Sequence, residues 1–85
     1  MKKVDLSLIL LSEEAAAAWQ EYVGRLFEGL LLARLAKDPS EIVQEAEIKG
    51  SELILHCRWS GKRGKKAEAE MAVPSGHWQW RAPQN

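Results

Sequence analysis

Residues 41–81 read EIVQEAEIKGSELILHCRWSGKRGKKAEAEMAVPSGHWQWR, and a rhythm of two within them decides the fold. Ile42, Ala46 and Ile48 alternate with Val43, Glu45 and Glu47. After Gly50-Ser51 the alternation resumes, with Leu53, Leu55, Cys57 and Trp59 set against Glu52, Ile54, His56 and Arg58. Successive strand residues point to opposite faces, so this period marks half-buried strands. Gly50 at the first central position predicts a two-residue type II′ hairpin. That hairpin pairs Lys49 with Glu52, Ile48 with Leu53, Ala46 with Leu55 and Glu45 with His56.

A third run, 67–73, sets Ala67, Ala69, Met71 and Val73 against Glu68, Glu70 and Ala72. Pairing Trp59 with Ala67 brings Arg58 to Glu68 and His56 to Glu70. After Pro74-Ser75-Gly76, a last strand carries Trp78 and Trp80 inward, with Trp78 facing Val73 and Arg81 facing Glu70. All three registers gather apolar residues on one face and set mostly opposite charges across from each other on the second.

Upstream, Val4, Leu6, Leu8 and Leu10 alternate with Asp5 and Ser7, then Ile9 and Leu11 make the end apolar on both sides. This predicts a strand covered on both faces at its far end. Ser12, followed by Glu13 and Glu14, is a helix start: a hydroxyl cap with carboxylates beside the positive dipole end. The helix is expected to run to about Lys37, where Asp38-Pro39 stops it. Trp19, Val23, Leu26 and Leu30 form its apolar stripe, and Glu14, Glu21, Arg25 and Glu28 lie opposite.

The order is β-α-β-β-β-β: an α+β fold with a single long helix on one face of a mostly antiparallel four- or five-stranded sheet. The first strand, joined through a helix, is expected to lie parallel to a neighbour by a right-handed crossover. Residues 1–82 form one domain and 83–85 a disordered C-terminal tail.

With 85 residues there is room for one core. An apolar fraction of 46% and a charged fraction of 28% exclude a disordered chain. Twelve basic residues balance twelve acidic ones, so no global field draws the protein to nucleic acid or to an anionic membrane. One cysteine, Cys57, excludes an intramolecular disulfide framework. Met1-Lys2-Lys3 precedes an apolar run as in a signal peptide, but Asp5 and Ser7 interrupt that run and no small-residue cleavage site follows. No stretch approaches the ~20 apolar residues of a membrane span. A cytoplasmic protein is expected.

The hairpin tip 60–66 carries Lys62, Arg63, Lys65 and Lys66 with two glycines, and Arg58 flanks it. Mobile cations of this kind can follow a phosphate backbone, or simply keep a turn solvated. Glu45, His56, Glu70 and Arg81 form a row on the outer face. A histidine between carboxylates suits a general base, but equally a cross-strand charge ladder, and no nucleophile is implied beside it. Cys57, His56 and His77 have no zinc spacing, so neither metal nor cofactor is expected.

The helix end is the other outlier. Leu31 and Leu35 lie about 100° to 140° from the core stripe and Leu32 lies on the polar side. A helix of ~25 residues is ~37 Å long, whereas a seven-residue strand is ~23 Å, so the leucine-rich end is expected to overhang the sheet. Gly24, on the side of Leu35, would admit another backbone. The four tryptophans are expected to fill the core.

The reading that follows is a non-catalytic protein-interaction module (a regulator, inhibitor or accessory subunit), homodimeric through Gly24, Leu31, Leu32 and Leu35. The alternative is a small RNA- or DNA-binding protein that uses Arg58, Lys62, Arg63, Lys65 and Lys66.

Overall fold

Three strands form the centre of the protein in the registers their alternation predicts. The structure, a computed structural model, describes residues 2–81. Strand β3 (Val43–Lys49) pairs antiparallel with β4 (Glu52–Ser60), Lys49 opposite Glu52 and Glu45 opposite His56. Gly50, at φ 64, makes the turn between them. Strand β5 (Lys66–Val73) pairs with β4, Trp59 opposite Ala67 and His56 opposite Glu70. On the inner face Ala46, Leu53, Leu55, Cys57, Trp59 and Val73 are buried.

The first predicted strand is two strands with a turn between them. β1 (Lys2–Val4) lies antiparallel to β3 at the edge of the sheet, Val4 opposite Ala46. The chain then turns through a 3-10 segment, Leu6–Leu8, and continues as β2 (Ile9–Leu11). Asp5 makes the break. Its carboxylate accepts from Ser7 N at 2.9 Å and from Ser7 Oγ at 2.8 Å, and its carbonyl accepts from Leu8 N at 2.9 Å. Two residues that read as the wet face of a strand are therefore a side-chain-capped turn. The turn shifts the pattern by one position, so Ile9 is buried while Leu8 and Leu10 are exposed. No parallel crossover results: every pair in the described residues is antiparallel.

The last strand, β6 (Trp78–Trp80), pairs with β2 and not with β5. Ile9 faces Trp80 and Leu11 faces Trp78, in place of the predicted Val73–Trp78 and Glu70–Arg81 pairs. The cause lies at Pro74-Ser75-Gly76. His77 N donates to Pro74 O at 3.1 Å with Gly76 at φ 100, the arrangement of a type II turn. Type II turns splay their flanking strands, so the chain leaves the sheet instead of folding back on it. The protein thus has a four-stranded sheet, ordered β1-β3-β4-β5, and a separate β2–β6 ribbon. Trp19 and Trp59 are core residues as expected, but Trp80, on the ribbon, is 50% exposed.

Helix α1 (Glu13–Leu32) begins as predicted, with Ser12 Oγ accepting from Ala15 N at 3.1 Å. It ends five residues before Lys37. Arg34 N donates to Leu31 O and Leu35 N to Leu30 O, with Arg34 left-handed at φ 58: a Schellman termination carrying arginine where glycine is usual. Twenty residues give ~30 Å of helix, and the nine of β4 give a similar ~30 Å. The helix therefore matches the sheet, and the predicted overhang disappears. It runs antiparallel to β5: Ala15 and Ala18 lie beside Val73, Leu26 beside Ala69, and Leu35 beside the β4–β5 tip. Of the predicted domain and tail, Met1 and residues 82–85 lie outside the described residues.

Candidate functional site

The leucines singled out at the helix end face solvent. Leu31 is 48% exposed, Leu32 77% and Leu35 36%. Gly24 is exposed as well, and a Cβ built there would touch nothing within 4 Å. Leu31 and Leu32 close the helix, and Leu35 follows the left-handed Arg34. The leucines stay outward because Leu30 and Ala36 fill the core beneath them. Large apolar side chains this exposed and this close in the chain are the usual mark of a contact surface.

The basic residues divide between two faces. Arg58, on the outer face, donates from Nε to Glu45 Oε1 at 2.6 Å, and this bond holds the Glu45 carboxyl below its usual range. Lys3 Nζ lies 3.5 Å from the other oxygen of Glu45. Arg58 is therefore engaged in the sheet. Lys62, Arg63, Lys65 and Lys66 form no salt bridge among the described residues.

Three of these cations border a cleft of about 590 Å³ between the hairpin tip and the helix end. Lys62, Arg63 and Lys65 form one wall, Arg34 and Leu35 the other, with Trp59 and Gly61 between them. The tip folds tightly: Gly61 N donates to Lys65 O at 2.8 Å, and Arg63 sits left-handed at φ 61. Gly61 lies so close to the Trp59 indole that a Cβ would overlap the ring. The one carboxylate on the rim, Glu41, accepts from Lys37 N at 2.7 Å and Asp38 N at 2.9 Å. These two donors, Asp38 first, keep its pKa low. The cleft thus joins Leu35 from one predicted surface to Lys62, Arg63 and Lys65 from the other. Gly24, Leu31, Leu32, Arg58 and Lys66 lie outside it.

On the outer face, Glu45, His56 and Glu70 lie in the expected row, but His56 Nε2 meets Glu68 Oε2 diagonally at 3.1 Å. Arg81 is absent from that row, because β6 left the sheet. The arrangement is a partly wet ladder of exposed pairs, each worth a few tenths of a kcal/mol, up to about 1. Cys57 is fully buried, which pushes its thiol pKa up and keeps the sulfur unreactive. Among the described residues no three potential ligands gather to hold a metal ion, and no helix is long and apolar enough to cross a membrane.

Two features escaped the sequence reading. Arg34 reads as an ordinary residue of the last helical turn, and only the early helix stop puts it on the cleft. The second is the contact of Ser12 Oγ with His77 Nδ1 at 3.1 Å, across 65 residues, made possible by the β2–β6 pairing. The Ser12 hydroxyl already accepts from Ala15 N, so the pair locks the helix start to the ribbon. Comparison of the chain with protein-family models, with curated proteins and with solved structures finds no match.

Proposed function

We propose that this chain is a small non-catalytic protein-interaction module, working in the cytoplasm as a regulator, inhibitor or accessory subunit, and that it self-associates through the end of its helix. The observation that carries the reading is the exposure of Leu31, Leu32 and Leu35 within five residues of chain at the helix end, Leu32 at 77%. Full burial of an exposed leucine is worth roughly 1.5–3 kcal/mol; Leu32 forgoes most of that and Leu31 and Leu35 less than half, and a second copy would recover much of it. Gly24 leaves the flanking helix surface open to a neighbouring backbone. A net charge of zero sets no repulsion against a like partner. A two-fold pairing would use the same patch on both copies, and for a chain this short it adds core that the monomer lacks.

The test is sedimentation equilibrium on the full chain and on Leu31→Glu with Leu32→Glu, across a range of concentrations. The parent is expected to sediment as a dimer and the variant as a monomer with unchanged circular dichroism. A parent that stays monomeric at the highest concentration reached would remove the self-association.

A further inference from the structure

The two non-glycine residues with positive φ in the described chain, Arg34 and Arg63, come from opposite walls of one cleft. Left-handed backbone is the ordinary place for glycine, and an arginine there carries a steric penalty that its local structure does not need. Such penalties persist where the side chain is wanted for another purpose. Here both arginines flank an open cleft of about 590 Å³.

The charge in that concavity is one-sided. Arg34, Lys62, Arg63 and Lys65 line it, none with a salt-bridge partner among the described residues, while the nearby Glu41 carboxylate is engaged by the Lys37 and Asp38 amides. Two arginines and two lysines bordering one space carry more positive charge than a single carboxylate would use. They match a group of tetrahedral oxyanions, which guanidinium binds through paired N–H donors and ammonium as a point charge. Trp59 and Leu35 supply the apolar part of the lining, and Gly61 is pressed on the Trp59 ring beside the cations.

We propose that this cleft binds phosphate groups, at least two of them linked, with Arg34 and Arg63 as paired donors on opposite sides and Lys62 and Lys65 neutralising the remaining charge. The proposal does not rest on self-association, although Leu35 borders both the cleft and the leucine surface. The linked phosphates can belong to a free polyphosphate chain or to a nucleic-acid backbone, which share this chemistry.

The rival account is electrostatic: the cations answer the negative end of α1, with no ligand involved. Glycine substitution separates the two. Arg34→Gly and Arg63→Gly keep the left-handed backbone and remove the whole side chain, guanidinium included. Inorganic tripolyphosphate and a short oligothymidylate are titrated into the full chain and each variant by calorimetry over a series of salt concentrations, with melting temperature measured in parallel. Expected is salt-dependent binding of tripolyphosphate, weakened about tenfold or more by each substitution, with melting temperature unchanged or raised. Binding of the oligonucleotide alone, weakened by the same substitutions and with a shallower salt slope, would also support the proposal and assign the phosphates to a backbone. No heat with either probe at low ionic strength would overturn it, as would binding that both variants retain. Variants that melt earlier and bind as tightly as the parent would establish the rival.

Discussion

The indole nitrogen of Trp19, in the first half of α1, donates to the Gln44 side-chain oxygen of β3 at 2.9 Å and ties the helix to the sheet at the margin of the core. Trp19 is 5% exposed and Gln44 is the partner of its N–H, so an apolar side chain at 44 would cover that donor without satisfying it. Gln44→Leu is expected to destabilise the fold by about 1–3 kcal/mol. Trp19→Phe in the same chain should restore part of that loss by removing the stranded donor. Urea unfolding of the parent, both single variants and the double variant measures the coupling.

Gly61 rests on the ring of Trp59, leaving no room for a methyl group. Gly61→Ala is expected to cost about 1–3 kcal/mol through overpacking and to perturb tryptophan fluorescence. The denaturation midpoint and the emission spectrum of the native state report the two effects. An unchanged midpoint would mean that the hairpin tip yields freely.

At the left-handed position after α1, Arg34→Gly is expected to stabilise the protein. Removing a penalty of roughly 1–2 kcal/mol, less the entropy that glycine forfeits, leaves a gain of up to about 1 kcal/mol. Calorimetry should show the melting temperature rising by up to ~4–8 °C. A fall would mean that the Arg34 side chain supports the fold by a contact of its own.

Asp38 and Glu41 cap the short turn Pro39–Glu41 that leads into β3. The Ser40 amide lowers the Asp38 pKa, and the Asp38 and Lys37 amides lower that of Glu41. A carboxyl whose pKa is lower folded than unfolded stabilises above its unfolded value and loses that contribution as pH falls through the folded one. The melting temperature should therefore drop on acidification below the ordinary carboxylate range. Asp38→Asn with Glu41→Gln should flatten part of that acid limb. Asp5 and Glu45, lowered by Ser7 and by Arg58, keep the rest of it.

The meander was legible because its signal is redundant. From Val43 to Val73 each strand alternates, and a slip of one residue would send Leu53, Leu55 and Cys57 into water. β6 alternates just as clearly, but alternation names a face and not a neighbour. Its partner is chosen by the type II turn at Gly76, whose splay the residue pattern alone does not display. Asp5 and Ser7 misled for a different reason: polar residues at spacing two suit a solvent-facing strand and an Asp-capped turn equally well. The helix stop was hidden because Arg34 adopts the conformation for which glycine is the cue. For the same reason the cleft was only half legible, its cationic hairpin evident in the chain and its opposite wall not.

The β2–β6 ribbon sets an order of assembly. The helix and the β3–β4–β5 meander need only neighbours in the chain, whereas Ile9–Leu11 must wait for Trp78–Trp80 before gaining any partner. Ile9–Leu11 therefore stays without a strand partner until Trp78–Trp80 has been made. Closing that ribbon is then the step that seals the domain, and it carries the longest loop-closure penalty in the fold. Removing Trp78–Trp80 should leave the meander able to form while stripping β2 of its strand partner and baring Ile9 and Leu11 at the helix start.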